Sequence, residues 1–245
     1  MLKMMKRFAP TPGIALLGVV LGTIPAFAQS SGSFSASVDS GACVLNTSSG
    51  ALSGGINSLK TVTVQTPNSS QTALLIRPSL VTGLFTDTQI SKNSTTNITK
   101  SSAVAAVTVH VTMDGSPVAP DTPIDPKHPT NGTVGVIYDE RFQQVSSNVF
   151  DQIAACALLT SPDQCFFDLI LSTLSMHSGD FVAPNVGGGN HTLEVTWDLS
   201  CFVNGGTVDC GTVLPSGSAA ACVGPGVLTV QQVKNFSQND PISIK

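Results

Sequence analysis

The residue types best suited to chemistry gather in "MHSGDFVAPNVGGGNHTLEVTWDL", residues 176–199. His177 and His191 bracket the Gly187–Gly189 run, with Asp180 and Glu194 close by. Imidazole and carboxylate are zinc ligand types, but a zinc site needs three or four of them at one point with partners behind them. One histidine pair across a turn falls short of that count. His177 and His191 therefore stand as metal candidates only. The plainer expectation is that His177 ends a helix and His191 opens a strand, and no cofactor is implied.

Other catalytic patterns are missing. The glycine run lacks the Lys-Ser/Thr that follows in a phosphate-binding loop, and it precedes a strand rather than a helix. No G-x-S-x-G elbow occurs. Serine is so frequent that Ser, His and Asp must meet somewhere by chance. Asp139 and Glu140 are adjacent at an expected strand end, so they point apart, unlike the paired carboxylates of a glycosidase cleft. Arg141 beside them suits a structural ion pair. The expectation is a protein that is not an enzyme.

The chain's first residues set the compartment. Lys3, Lys6 and Arg7 precede an apolar run, Ile14 to Ile24, that is too short to span a bilayer. Pro25 and Ala26-Phe27-Ala28 then form a helix break and a small-residue cleavage site. Residues 1–28 read as a secretory signal peptide, with no membrane span after its removal. Cleavage removes three basic side chains and leaves 8 basic against 15 acidic, a net of −7. No basic stripe remains for nucleic acid. The expected location is secreted, periplasmic or cell-surface.

All six cysteines follow residue 28: Cys43, Cys156, Cys165, Cys201, Cys210 and Cys222. An even count in an exported chain reads as disulfides, and no C-x-x-C pair argues for metal. Six cysteines allow 15 pairings. Spacing suggests Cys156 with Cys165, Cys201 with Cys210, and Cys43 with Cys222. On the loop-entropy account the short loops contribute roughly 2–3 kcal/mol each and the long one about 5 kcal/mol.

Periodicity then supplies the elements that carry these residues. Residues 29–58 are Ser/Gly-rich and read as a flexible segment with one short strand near Phe34–Val38. Residues 59–245 read as a single β-sandwich domain. "KTVTVQT" alternates, and "TALLIRPSLVTGLFTD" is an apolar run interrupted by Pro78. In "VAAVTVHVTM", Val107, Val109, Val111 and Met113 point one way and Thr108, His110 and Thr112 the other. Asp114-Gly115 suits a tight hairpin turn. "TVGVIYD" and "GVLTVQQVKNF" read as further strands. In "HTLEVTWDL", Leu193, Val195, Trp197 and Leu199 alternate with polar residues, which puts the lone Trp toward the core. Residues 148–176 break the rhythm. Phe150, Ile153, Ala154, Ala157 and Leu158 recur at helical spacing. Ser161, Pro162 and Gln164 suit a helix start, and Phe167, Ile170, Leu171 and Leu174 form one helical face. This predicts a short helical insertion around 150–176.

A Gly-rich turn followed by "HTLEVTW" resembles the late strand of immunoglobulin-like and fibronectin-type sandwiches. The stretch from "VTVHVTMDGSPV" to "HTLEVTW", about 104–199, is similar to uncharacterised exported bacterial proteins of that build. The resemblance implies a mainly β, antiparallel immunoglobulin-like sandwich and no activity.

Three function classes follow. The preferred one is a secreted or envelope-associated, non-catalytic protein with a structural, adhesive or protein-interaction role, whose partner is protein or glycan at the cell surface. A carbohydrate-binding module would stack sugars on exposed aromatic rings, and this chain has one Trp and one Tyr, Tyr138. A metal-dependent extracellular enzyme would use the two histidines. The first prediction concerns export: the mature protein begins at Gln29. N-terminal sequencing of exported protein checks it, and a mature form that still carries Leu16–Leu21 refutes it.

Overall fold

The computed structural model describes residues 33–46, 52–59, 61–68, 72–92, 97–122, 134–151 and 165–234. The chain divides into two units, Met1–Ser31 and Gly32–Lys245, and every described residue belongs to the second. In chain order the strands are β1 (Phe34–Asp39), β2 (Cys43–Leu45), β3 (Leu52–Gly54), β4 (Val62–Thr66), β5 (Thr72–Lys92), β6 (Asn97–Ile98), β7 (Lys100–Met113) and β8 (Ser116–Pro117). They continue with β9 (Val136–Ser146), β10 (Cys165–Ser178), β11 (Phe181–Ala183), β12 (Gly189–Val203), β13 (Gly206–Val208), β14 (Val213–Leu214) and β15 (Gly217–Lys234). A single helical turn, α1 (Asn148–Asp151), follows β9.

Two antiparallel sheets result. The first runs β1-β15-β5-β10, with β11 continuing beside β5 and with β6 and β14 at its ends. The second runs β13-β12-β7-β8, with β4 beside β12 and β9 beside β7. Their facing sides form one core. Leu74, Ile76, Leu80 and Leu84 of β5 and Leu228 and Val230 of β15 join Val107, Val109 and Val111 of β7 and Leu193 and Val195 of β12. This is a β-sandwich. Burying each of these aliphatic side chains contributes about 1.5–3 kcal/mol.

The alternation expected for β7 holds. Val107, Val109 and Val111 are fully buried, while Thr108, His110 and Thr112 lie on the other, partly exposed face. Asp114 and Gly115 both take positive φ, 52° and 78°, the pairing a tight hairpin between β7 and β8 requires. Asn204 and Gly205 repeat it, at 52° and 78°, between β12 and β13.

The Ser/Gly-rich segment contributes three strands to this unit. β1 pairs with β15. The β2–β3 hairpin is stapled to the long sheet by the Cys43–Cys222 disulfide. Gly83 makes room for that bridge: a Cβ there would sit 2.5 Å from the Cys43 sulfur and 3.0 Å from the Cys222 sulfur. Cys201–Cys210 closes the β12–β13 hairpin. Both pairings match the spacing argument. Cys165 is also disulfide-bonded, and its expected partner, Cys156, lies outside the described residues.

Three expectations need correction. The helical insertion over 150–176 is absent where it is described. α1 is one turn, residues 152–164 lie outside the described residues, and Cys165–Ser178 is a 14-residue strand paired with β5. The expected helical face, Phe167, Ile170, Leu171 and Leu174, divides between the two sides of that strand, because neighbours in a strand alternate. Second, Pro78 does not interrupt the run around it, for β5 spans Thr72–Lys92 unbroken. The missing N–H is harmless there because β10 ends opposite Ser79 and β11 begins opposite Ile76, so the ladder on that side is already broken. Third, Trp197 is only partly buried against the core and Leu199 is 41% exposed, although Leu193 and Val195 are fully buried.

That last contrast is testable by urea unfolding. Leu193→Ala should cost about 2–5 kcal/mol, the range for a buried large-to-small change. Leu199→Ala, on the same face, should cost less than about 1 kcal/mol. Equal costs would refute the burial gradient along β12.

Candidate functional site

The two histidines land on different sheets. His177 lies on β10 opposite Leu80, and His191 lies on β12 opposite Val64. His177 thus ends a strand rather than a helix. Both ring nitrogens of His191 are engaged, Nδ1 with Asp114 at 2.7 Å and Nε2 with the Gly187 carbonyl at 3.0 Å. Of the nearby acids, Asp180 forms a two-pronged pair with Arg77, at 2.5 and 2.9 Å. Glu194 stands on the exposed face of β12. Among the described residues no three His, Cys, Asp or Glu side chains converge as a metal site.

A serine, a histidine and an aspartate do meet. The Ser175 hydroxyl is 2.6 Å from His177 Nε2, and Asp139 Oδ2 is 3.4 Å from the same nitrogen. A nucleophile relay needs the serine on one ring nitrogen and the carboxylate on the other, so that one positions the ring while the other takes the proton. Here both crowd one nitrogen. Asp139 also accepts a 2.8 Å hydrogen bond from the Thr82 hydroxyl. The group belongs to a polar seam between β9 and the β5–β10 pair. Gln143 accepts from Thr86 at 2.5 Å and donates to Thr88 at 2.7 Å and to the Leu169 carbonyl at 2.5 Å. Arg141 donates to the Leu84 carbonyl and to Thr173. Tyr138 donates to the Pro78 carbonyl, and burial pushes its phenol up to about 12. Each buried hydroxyl in the seam is thereby spared the roughly 1–3 kcal/mol that an unpaired polar group costs. Neither Tyr138 nor Trp197 is an open aromatic platform.

The outer face of β5 and β10 carries a different group. Asp87 is buried, and its carboxyl is pushed up to about 7, first by burial and then by Asp168 across the strand pair. Gln89 donates to Asp87 Oδ2 at 3.2 Å.

The most unusual surface is β10 itself. On one side it pairs with β5, and among the described residues no strand pairs on its other side. Phe166 is 61% exposed, Met176 is 64% exposed, and Ile170 and Leu174 are nearly half exposed. All four point to the outer face, at even positions along the strand. Sheet edges are normally protected by lysine, proline or charge; the only acid among these even positions is Asp168, and no base lies between Cys165 and Ser178 apart from His177. Sequence reading missed this surface because residues four apart share a face in a helix and in a strand alike.

No protein-family model matches this chain, and no curated protein matches it. The paired cysteines fit an oxidising compartment. Among the described residues no helix is long and apolar enough to cross a membrane.

The His191–Asp114 pair yields a pH prediction. Its hydrogen bond to Asp114 raises the His191 imidazole above its ordinary 6.5. The Thr192 amide, and then His191, lower the Asp114 carboxyl below its ordinary 3.8. The raised histidine stabilises fully below pH 6.5 and loses that contribution as pH rises through its folded value. The lowered aspartate stabilises above pH 3.8 and loses it as pH falls through its own. The stability lost in His191→Gln should therefore be greatest between about pH 4 and 6.5 and smaller at pH 9. Thermal melts of parent and variant across pH check this, and a penalty that grows toward pH 9 refutes it.

Proposed function

We propose that this is an exported, non-catalytic β-sandwich that works by contact with protein at the cell surface, in a structural or adhesive role. The observation that carries the reading is the exposed apolar row Phe166, Ile170, Leu174 and Met176 on a strand whose second edge pairs with no strand among the described residues. The occupant is an extended, apolar and poorly charged segment of a surface protein. Its backbone adds to that second edge of β10 and its side chains cover the row, the mode by which exposed sheet edges bind peptides. A chain with a net charge of −7 after signal cleavage offers little attraction to an acidic partner, and the row itself selects by apolar area. The immunoglobulin-like resemblance of the late strands fits this role, since that architecture supports cell-surface recognition on many scaffolds. The signal peptide and the disulfides support export.

The test replaces Ile170 and Leu174 together by Lys. Both are solvent-facing, so the melting temperature should stay within about 3 °C of the parent. The share of exported protein held on washed producing cells, against the share free in the medium, is then compared. The parent should be retained and the double variant released. Equal retention of a folded double variant overturns the reading.

A further inference from the structure

A second feature of the β5–β10 pair lies on the same outer face as the apolar row and differs from it in chemistry. Ile170 lies opposite Asp87, and Asp168 lies opposite Gln89. Asp87, Gln89 and Asp168 therefore share one face of the sheet, with the two carboxyls on the diagonal, a separation that side chains span. Ser218 of β15 lies opposite Asp87 and brings a hydroxyl to the same face. Asp87 is only 7% exposed. Its Oδ1 is buried and receives no N–H or hydroxyl donor, its Oδ2 takes the Gln89 amide, and the Asp168 carboxyl lies within hydrogen-bonding reach of the Asp87 carboxyl. The groups acting on its carboxyl are Asp168 and Gln89, and no cationic side chain is among them.

Two carboxyls within reach of each other, one of them withdrawn from water, cannot both stay ionised unaided: either a shared proton or a cation holds them together. The donor set decides the cation's chemistry. Every available ligand atom is oxygen: two carboxylates, the serine hydroxyl and the amide oxygen of Gln89, which a half-turn of the amide presents in place of its nitrogen. Zinc and copper favour nitrogen or sulfur, whereas calcium takes oxygen ligands in loose geometry and completes its shell with water. We propose that Asp87, Asp168, Gln89 and Ser218 form a calcium site that ties β10 to β5 on the outer face of the long sheet. Calcium there bridges neighbouring strands, and its two carboxylate ligands come from different strands. The site does not depend on β10 being a contact surface.

The experiment uses the full mature protein at pH 7.5 after exhaustive chelation. Extracellular calcium modules bind with dissociation constants of about 10⁻⁴–10⁻³ M. About 10 mM calcium should therefore raise the melting temperature by about 3–11 °C. The same concentration of magnesium should raise it less, because that ion demands stricter geometry. Asp87→Asn and Asp168→Asn should each abolish the calcium-dependent increment. Asp180→Asn, at the exposed Arg77 pair, should keep it. Absence of a calcium-dependent shift in the parent overturns the proposal and leaves a proton as the bridging charge. A shift that survives in both Asp87→Asn and Asp168→Asn also overturns it, since the ion then binds elsewhere. Should either variant fail to fold, calcium titration of the parent by calorimetry, with Gln89→Ala weakening the binding, decides the question.

Discussion

Everything in this molecule hangs on the antiparallel ladder between β5 and β15. It runs from Gly217 opposite Thr88 to Lys234 opposite Thr72, with one bulge between Val223 and Gly226. Every other strand of the long sheet attaches to one of these two: β1 and β14 to β15, and β6, β10 and β11 to β5. The same strands supply Leu74, Ile76, Leu80, Leu84, Leu228 and Val230 to the core, so the ladder also positions the surface on which the second sheet rests. Backbone pairing and apolar burial are thus coupled. A slip of one residue would turn every one of those side chains to the wrong face.

The interior is not uniformly apolar. Toward β9 it changes to hydroxyls, amides and charge: Thr82, Thr86 and Thr88 of β5 against Asp139, Arg141 and Gln143 of β9. An apolar contact tolerates sliding, but these directional bonds do not, since each donor left behind would be buried without a partner. The seam therefore sets how β9 lies against β5, while the aliphatic half of the core supplies most of the driving force. The bulge in the β7–β9 pairing, between Val107 and Thr108, allows β9 to turn its polar side chains inward beside the valines of β7.

Much of this was legible in the residues. Alternation identified β7 and β12, Asp114-Gly115 identified a hairpin, and spacing identified the partners of Cys43 and of Cys201. What was not legible has physical causes. In β10 the residues at 166, 170 and 174 satisfy helical and extended periods together, and only pairing with β5 chooses between them. The hairpin of β2 and β3 and the first half of β15 are built from Ser, Gly and Ala, which carry weak strand preference; a disulfide and a neighbouring ladder hold them in place. Around Trp197 the alternation reports which face a residue takes, but not whether the opposite sheet extends far enough to cover it. The Asp87–Asp168 pair was invisible for a related reason. Two remote acids become neighbours only through a register, and periodicity within either segment carries no trace of it.

The Cys43–Cys222 bridge joins an early hairpin to the last long strand, across a separation of 179 residues. A single peptide-bond cut anywhere between those cysteines therefore releases nothing, because the two pieces stay covalently joined at the sheet's centre. The severed segments remain at the high effective concentration of a tethered pair, and the ladder of β5 and β15 can close again without a bimolecular encounter. The staple thus makes the molecule tolerant of nicking. Release of a fragment by cutting between the two cysteines takes two cuts, or one cut together with reduction of the bridge.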